Sequence, residues 1–376
     1  MKYELFDQMI TEFTEKEVAP LAQETDEKEQ FPASTVKKMA AAGLFGIIVP
    51  TELGGAGGDY RMYIKAVETL SSACATTGVI LSAHTSLCAA PILEYGNDAQ
   101  KKRYLPKLAS GAWLGAFGLT EPGAGTDAGG QQTTAVLSDG KYILNGSKIF
   151  ITNAGKADVY VVIAVTGVNP KGGKDCSAFI VEKGFPGFSI GKKELKMGIR
   201  GSATCELLFK DCAVPAENLL GKPGEGLKIA LKTLDGGRIG IAAQALGIAE
   251  GAFAATVKYV KERKQFGKPI SAFQNTQFVI ADLDTQITAA RLLVYQSAAA
   301  KDAHAPTVAV DAARAKLFAA ETAMNVTTKC VQLHGGYGYM REYAVERMMR
   351  DAKITEIYEG TSEVQRMVIS SAIFRK

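Results

Sequence analysis

The pattern of hydrophobic and polar positions divides the chain into three stretches, of which the first is helical. From residue 1 to about 115, apolar residues such as Phe13, Val18 and Met39 recur at helical spacing between charged residues. The clearest helices are expected at 60–75, 78–93 and 97–108. The glycine-rich segment 52–60 lacks the third glycine of Gly-x-Gly-x-x-Gly, so it is predicted to be a turn before the next helix.

The second stretch, from Gly118 to about Leu220, changes to the two-residue period of β-strands. The dipeptide Asn145-Gly146 stands between two apolar runs, which predicts a hairpin turn at this point. Further strands are expected at 159–165 and 177–182. Many short strands separated by glycine and proline turns favour a small β-barrel.

The third stretch, from Gly226 onward, returns to the helical period, with breaks at 268–269, 304–306 and 335–336. Long helices with short connections favour an antiparallel four-helix bundle. We therefore predict an α+β protein of three domains. They are an N-terminal α-helical domain at residues 1–116, a middle β-barrel domain at 117–224 and a C-terminal four-helix bundle at 225–376.

Charge and hydropathy exclude several classes of partner. The 376 residues carry 43 Lys+Arg against 39 Asp+Glu, a balance too even for a nucleic acid or a membrane surface to be the main partner. No window reaches ~18 uninterrupted apolar residues, so no transmembrane helix is expected. The first residues, Met-Lys-Tyr-Glu-Leu-Phe-Asp, are expected to be neither a secretory signal nor a transit peptide.

Cysteine and histidine usage narrows the chemistry further. The six cysteines form no Cys-x-x-Cys pair, which predicts reduced thiols in a cytoplasmic protein. The three histidines, His84, His304 and His334, are far apart in sequence, so no metal site is expected. The chain has no Gly-x-Ser-x-Gly motif, so a hydrolase triad has no support.

One candidate site is the stretch 351–363, in which Glu359 stands between Tyr358 and Gly360. An aromatic ring that excludes water raises the pKa of a neighbouring carboxyl group toward the range of a general base. The glycine permits close approach of a ligand to the backbone. On local pattern alone, the same stretch is more typical of an acidic turn that ends a helix.

A second candidate site is the loop around 117–128, where residues 123–128 match Gly-x-Gly-x-x-Ala. Pro122 precedes this match and strands follow it, which argues against a dinucleotide-binding βαβ unit. The loop offers backbone N–H groups, the hydroxyls of Thr120 and Thr126, and glycines that permit close approach. These groups suit a flat heteroaromatic ring and a pyrophosphate.

Five motifs occur in the order found in the acyl-CoA dehydrogenase family, which the chain resembles over nearly its whole length. They are the loop 119–128, Phe150-Ile151-Thr152-Asn153, Arg263-Lys264-Gln265-Phe266-Gly267, Gln332-Leu333-His334-Gly335-Gly336-Tyr337-Gly338 and Tyr358-Glu359-Gly360-Thr361. The chain looks most like the short-chain, butyryl-CoA branch, and it is expected to begin within the family's first helix. Phe150 stands where the family usually has Trp, and Thr126 where it often has Ser.

The resemblance implies an FAD shared between the subunits of a homotetramer, a dimer of dimers. The residues expected to bind this cofactor are Phe117, Leu119, Thr120, Gly125, Thr126, Phe150, Ile151, Thr152, Arg263, Gln265, Phe266, Gln274, Gln332, His334, Gly335, Gly336, Thr361 and Glu363. Without the family, Phe150 would equally suit a core position, and Arg263 would be more typical of a basic residue at a helix end.

The resemblance also implies the substrate and the catalytic base. The acyl-CoA is expected to contact Thr126, Asp235, Arg238, Tyr358 and Gly360. One branch of the family carries its catalytic glutamate at the position of Gly237, so Glu359 is expected to be the base here. The implied reaction is dehydrogenation of a short-chain acyl-CoA to a trans-2-enoyl-CoA, with electrons passed to electron-transferring flavoprotein.

Three other functions remain open. The same fold could work as a flavin enoyl-CoA reductase on crotonyl-, acryloyl- or arylacryloyl-CoA, because the chemistry is reversible. An acyl-CoA oxidase is disfavoured because the chain is expected to lack an extra C-terminal domain. A non-catalytic acyl-CoA-binding protein is disfavoured by the presence of both Glu359 and the flavin loops.

Overall fold

The computed structural model describes residues 2–168, 170 and 172–374, and within them it confirms the predicted order of helical, β and helical regions. The π-helical segments Thr14–Val18 and Ala83–Ala89 continue the helices around them, so the helix predicted at 78–93 is part of one helical run from 75 to 95. The N-terminal α-helices are α1 (Lys2–Phe13), α2 (Ala22–Glu27), α3 (Ala33–Ala41), α4 (Tyr60–Ala73), α5 (Ala75–Ser82), α6 (Ala90–Tyr95) and α7 (Asp98–Ala109).

A capping box starts α7 where the sequence predicts it. The Asn97 side chain accepts a hydrogen bond from the N–H of Gln100 (2.9 Å), and the Gln100 side chain accepts one from the N–H of Asn97 (3.0 Å). Gln100 also donates to the carbonyls of Glu217 and Leu219, both at 2.8 Å. The cap therefore joins the N-terminal helices to the far end of the β region.

The middle region is an eight-stranded sheet with the order β6-β7-β3-β2-β4-β5-β8, in which β1 pairs in parallel with β4. Because β1 lies beside β4, the loop that follows it starts within the sheet and carries the second candidate site. The strands are β1 (Gly115–Gly118), β2 (Thr134–Ser138), β3 (Lys141–Thr152), β4 (Val159–Val168), β5 (Lys174–Glu182), β6 (Phe188–Lys193), β7 (Thr204–Pro215) and β8 (Leu219–Leu220).

The hairpin predicted at Asn145-Gly146 is wrong, because β3 passes through this dipeptide as one strand. The turn into β3 is instead Asp139-Gly140, where φ is 49° and 75°, as a two-residue hairpin requires. At Gly146 the register with β7 shifts, and a Cβ there would stand 2.7 Å from the Cα of Thr133. Asn-Gly therefore marks a bulge over which the chain at Thr133 passes closely.

The C-terminal region has long helices whose boundaries fall at the predicted breaks. A short ribbon of β9 (Lys264–Gln265) and β10 (Lys268–Pro269) separates the first two. Helices α8, α9 and α10 pack on one another, and α11 and α12 pack against α10. The helices are α8 (Gly226–Glu262), α9 (Gln274–Asp302), α10 (Val308–His334), α11 (Ala344–Thr355) and α12 (Ser362–Phe374).

The N-terminal and C-terminal helices share one hydrophobic core, with Ile64 and Val67 of α4 in the same cluster as Leu246 of α8. A Cβ on Gly247 or Gly251 of α8 would stand 2.0 Å from a carbonyl oxygen of α4, so these helices pack backbone to backbone. By length and composition, Ala75–Tyr95 and Gly226–Glu262 could each cross a membrane. Their most apolar windows are 94% and 72% buried inside the protein, where they form core.

Candidate functional site

Glu359 lies in the turn between α11 and α12, and the backbone there is left-handed at two successive residues. The φ angle is 54° at Glu359 and 97° at Gly360. For a non-glycine residue this conformation costs about 1–2 kcal/mol, so surrounding contacts must maintain it. Gln365 of α12 donates to the Gly360 carbonyl at 2.7 Å, and Lys316 of α10 donates to the same oxygen at 2.8 Å.

The Glu359 carboxyl group faces α8 at Gly237. A Cβ on Gly237 would stand 1.9 Å from Oε2 of Glu359 and 2.8 Å from Cδ2 of Leu87, so a side chain at 237 and this carboxyl group compete for one space. Although Glu359 is only partly buried as a residue, its Oε2 is fully buried and has no hydrogen-bond partner among the described residues.

The electrostatic surroundings of Glu359 bring its titration close to neutral pH. Burial raises the pKa of Glu359 to about 8, and the positive charges of Lys316 and Arg238 oppose that rise. A carboxyl group of this kind exchanges a proton in the working range of an enzyme. It is the strongest chemical feature of the site.

The predicted substrate residues Asp235 and Arg238 form a buried ion pair on α8, with 3.1 Å between Arg238 Nη1 and Asp235 Oδ1. Burial lowers the pKa of Arg238 and raises that of Asp235, and their mutual attraction opposes both shifts. Nε of Arg238 is buried without a partner among the described residues. Of the other predicted substrate residues, Tyr358 and Gly360 belong to the Glu359 turn. Thr126 lies on the separate middle-region loop.

Tyr358 turns inward and donates its hydroxyl to the side-chain oxygen of Gln244 on α8. Burial raises the pKa of Tyr358 well above its usual range. Tyr63 lies nearby and shares a hydrogen bond of 3.0 Å with the hydroxyl of Ser82. A Cβ on Gly240 would stand 2.2 Å from the Tyr63 hydroxyl, so α8 needs a glycine at this position too. No sequence motif indicated Gln244 or Tyr63.

A buried lysine, Lys148, holds the middle-region loop 117–128 in place. No sequence motif indicated this residue. Lys148 of β3 donates to the Leu119 carbonyl (3.1 Å), to Glu121 (2.7 Å) and to the Gln131 side chain (2.6 Å). Glu121 in turn accepts hydrogen bonds from the N–H groups of residues 132 and 133. Burial lowers the pKa of Lys148 to about 8, although Glu121 opposes the shift. These contacts hold the loop at both of its ends.

The middle of the same loop, from Gly123 to Thr126, has three exposed residues. Among the residues that the structure describes, none lies within 4 Å of a Cβ built on Gly123 or Gly125, and Thr126 is exposed. Phe150 is 61% exposed and has a left-handed φ of 59°. Among the other predicted cofactor residues here, Thr120 and Thr152 are half-buried, and Phe117, Leu119 and Ile151 are almost fully buried.

A third group of predicted residues lines a surface cavity of about 520 Å³ in the C-terminal region. Its lining brings together Arg263, Gln265, Gln332, His334, Gly335 and Gly336, which come from two separate motifs. Side chains at Gly335 and Gly336 would enter open space. Arg263 lies 5.3 Å above the ring of Tyr337, and His334 stacks on Tyr259 with ring centroids 4.1 Å apart.

The four remaining predicted cofactor residues lie neither in that lining nor in the middle region. Phe266 is 93% exposed and contacts the ring of Phe273. Gln274 is the first residue of α9, and Thr361 and Glu363 are at the start of α12. The six cysteines are buried free thiols, and residues 2–168, 170 and 172–374 contain no cluster of His, Cys, Asp and Glu arranged to hold a metal.

Comparison with known proteins assigns the family. Three models describing the N-terminal, middle and C-terminal domains of acyl-CoA dehydrogenases match residues 2–112, 116–212 and 224–374. The chain is 62% identical to a short-chain specific acyl-CoA dehydrogenase of Clostridium acetobutylicum, with 99% of this chain and 98% of the relative covered. It is 52% identical to an acryloyl-CoA reductase (NADH) of Anaerotignum propionicum, with 99% and 94% covered.

Solved structures agree with this assignment. Butyryl-CoA dehydrogenase from Megasphaera elsdenii superposes with a TM-score of 0.96 at 53% identity, covering 99% of this chain and 98% of the other. A chain from a structure of the electron transferring flavoprotein of Acidaminococcus fermentans also has a TM-score of 0.96, at 56% identity and the same coverage. The matches extend over nearly the full length, and the chain belongs to the acyl-CoA dehydrogenase family.

Proposed function

We propose that the protein is an FAD-dependent dehydrogenase that converts a short-chain acyl-CoA, such as butyryl-CoA, to the trans-2-enoyl-CoA. The observation that carries this proposal is Glu359, whose Oε2 is buried without a partner among the described residues and whose pKa is raised to about 8 by burial. The short-chain specific relative at 62% identity supports the substrate class.

The residues of the chain fit FAD. Exposed Thr126 and the open backbone at Gly123 and Gly125 offer donors and close approach to a flat ring, and exposed Phe150 offers an aromatic face. Arg263 in the surface cavity of the C-terminal region suits a pyrophosphate, because a guanidinium donates two parallel hydrogen bonds. FAD, when bound, supplies the acceptor for the hydride that leaves the β carbon of the substrate.

Glu359 is the proposed base, and its carboxylate removes the proton from the α carbon. Negative charge then grows on the thioester oxygen, where hydrogen-bond donors stabilise it. Within the described residues, the backbone N–H groups of Glu359 and Gly360 donate to no acceptor, so the same turn that presents the base also offers donors. The space that Gly237 leaves open accommodates the carboxyl group.

Anaerobic mixing of the Glu359→Gln variant with butyryl-CoA tests this role, because glutamine keeps the shape of the side chain and removes the base. Flavin bleaching should slow by about 10²–10⁴-fold, the usual contribution of a positioned base. Glu356→Gln is the matched control, since Glu356 pairs with Lys353 at 2.7 Å on the same turn. Bleaching of Glu359→Gln at the wild-type rate would show that another group is the base.

A second candidate is the reverse reaction, reduction of an enoyl-CoA, which the acryloyl-CoA reductase relative at 52% identity favours. In that direction Glu359 returns a proton to the α carbon. Steady-state rates measured in both directions, with butyryl-CoA and with crotonyl-CoA or acryloyl-CoA, distinguish the two. A faster enoyl-CoA reduction at matched concentrations would favour the reductase.

The proposed assembly is a cytoplasmic homotetramer that passes electrons to an electron-transferring flavoprotein. The structural relative from the Acidaminococcus fermentans flavoprotein structure supports that partner. The lining of the Arg263 cavity contains no residue of the middle region, which supports an FAD site completed by a neighbouring subunit. Light scattering of the yellow protein tests the assembly, and a flavin-free monomer would contradict it. Reduction of purified flavoprotein by acyl-CoA tests the partner.

A further inference from the structure

Lys316 is a fully buried lysine in the first half of α10. Its neighbours one turn away on the helix are all alanines with no exposed surface: Ala312, Ala313, Ala319 and Ala320. Lysine is almost never fully buried unless its charge is paired or bonded. The ammonium group donates to the carbonyl oxygen of Gly360, the residue that follows Glu359, at 2.8 Å.

The Gly360 carbonyl is a junction between three elements. It accepts from Lys316 of α10 and from the buried side chain of Gln365 of α12 at 2.7 Å, so both of its lone pairs are used. Gln365 also donates to the Glu359 carbonyl at 3.4 Å. Two donors anchored on separate helices therefore hold the peptide unit that gives Glu359 and Gly360 their positive φ angles.

Lys316 also interacts electrostatically with Glu359. Burial lowers the pKa of Lys316 to about 8, and Glu359 is the charged group that most strongly opposes this shift. Lys316 is likewise the positive charge that most strongly opposes the rise in the pKa of Glu359. The other charged or titratable groups facing this pair are Arg238 from α8, Glu356 from the turn, Glu363 from α12, and Tyr358 and Tyr63 beside the carboxyl group.

We propose that Lys316 is a positioning residue for Glu359: it holds the Gly360 carbonyl and so the turn that aims the carboxyl group, and it places a positive charge beside that group. The proposal rests on the proposed role of Glu359 as the base. Lys316 acts through Glu359 and is not itself assigned a contact with the substrate or with FAD.

The two parts of this role separate experimentally, because the Gly360 carbonyl has a charged and an uncharged donor. Lys316→Met removes the charge and one hydrogen bond to this carbonyl. Gln365→Leu removes the other hydrogen bond to it, together with the longer one to the Glu359 carbonyl, and keeps the charge. Lys316→Arg retains a positive charge and donors. Lys316→Met should fold, because Gln365 still donates to the Gly360 carbonyl and Glu359, whose pKa is raised to about 8, takes up a proton when the neighbouring charge is lost.

The primary measurement is the second-order rate constant of flavin reduction as a function of pH, which reports the ionisations of the free enzyme. Loss of a neighbouring positive charge raises a carboxyl pKa by about 1–3 units. In the pH–rate profile of Lys316→Met, the acid limb, where the rate falls as the base is protonated, should therefore shift to higher pH by at least about one unit. At a pH below the limb the rate should therefore fall about tenfold or more. Gln365→Leu should lower the plateau and leave the limb in place, and Lys316→Arg should restore the wild-type limb.

A second measurement does not depend on turnover. The infrared band of the protonated Glu359 carboxyl group, identified by its loss in Glu359→Gln, should persist to higher pH in Lys316→Met than in the wild type. An unchanged acid limb together with an unchanged infrared titration in Lys316→Met would overturn the proposal. If Glu359→Gln instead reduces flavin at the wild-type rate, the proposed base itself fails, so the two failures are distinguishable.

Discussion

The buried carboxyl group of Glu359 predicts a pH-dependent difference in stability between the wild type and Glu359→Gln. Its pKa rises from the ordinary value of 4.5 to about 8 on folding, because burial disfavours the charged form. Each unit corresponds to about 1.36 kcal/mol, so ionisation of this group costs the folded state up to about 5 kcal/mol. Water entering the ligand-free site reduces this cost, and we expect roughly 2–5 kcal/mol.

The sign follows from proton linkage. The folded protein binds the Glu359 proton more tightly than the unfolded chain, so this group's contribution is fully present below a pH of about 4.5 and is lost as pH rises through about 8. Glutamine carries no proton to lose. Glu359→Gln should therefore gain stability relative to the wild type as the pH is raised.

Thermal unfolding of the FAD-loaded proteins between about pH 5.5 and about pH 8.5 measures the effect. About two thirds of the effect, roughly 1–3 kcal/mol, falls within this range, so the midpoint of Glu359→Gln minus that of the wild type should increase by about 1–6 °C, allowing about 1–2 °C per kcal/mol for a chain of this size. Glu356→Gln, which removes the ion pair to Lys353 but keeps the Glu359 carboxyl group, should show a constant difference. A constant difference for Glu359→Gln as well would refute the raised pKa.

Three further substitutions give distinct outcomes. Gly237→Ala places a Cβ 1.9 Å from Oε2 of Glu359, so the flexible carboxyl group must move; flavin reduction should fall at least tenfold with FAD content unchanged, and an unaltered rate would contradict this geometry. Lys148→Met leaves the buried Glu121 carboxylate without its cation, and denaturant unfolding should show a loss of about 3–5 kcal/mol. Arg263→Ala should release FAD on gel filtration and Arg263→Lys should release less, whereas equal retention by both would argue against phosphate recognition at this residue.

The sequence by itself determined the order of helical, β and helical regions, because hydrophobic period and the glycine and proline breaks are local properties. The cap at Asn97 was predictable for the same reason, since its partner Gln100 lies three residues away. The expected roles of the motif residues around Glu359 and Arg263 came from the resemblance to the family. Their spatial grouping did not, because the Arg263 and Gln332 motifs meet only when the helices pack.

Only the tertiary structure decided the roles of Asn145-Gly146 and of the buried lysines. The dipeptide suits a turn or a bulge equally, and the close passage of Thr133 selects the bulge. Lys148 and Lys316 look like ordinary surface lysines in a strand and in an alanine-rich helix, and nothing local distinguishes them. They differ because distant segments bury their amines against Glu121 and the Gly360 carbonyl, and removal from water is what makes a charge strong enough to hold a loop or tune a base.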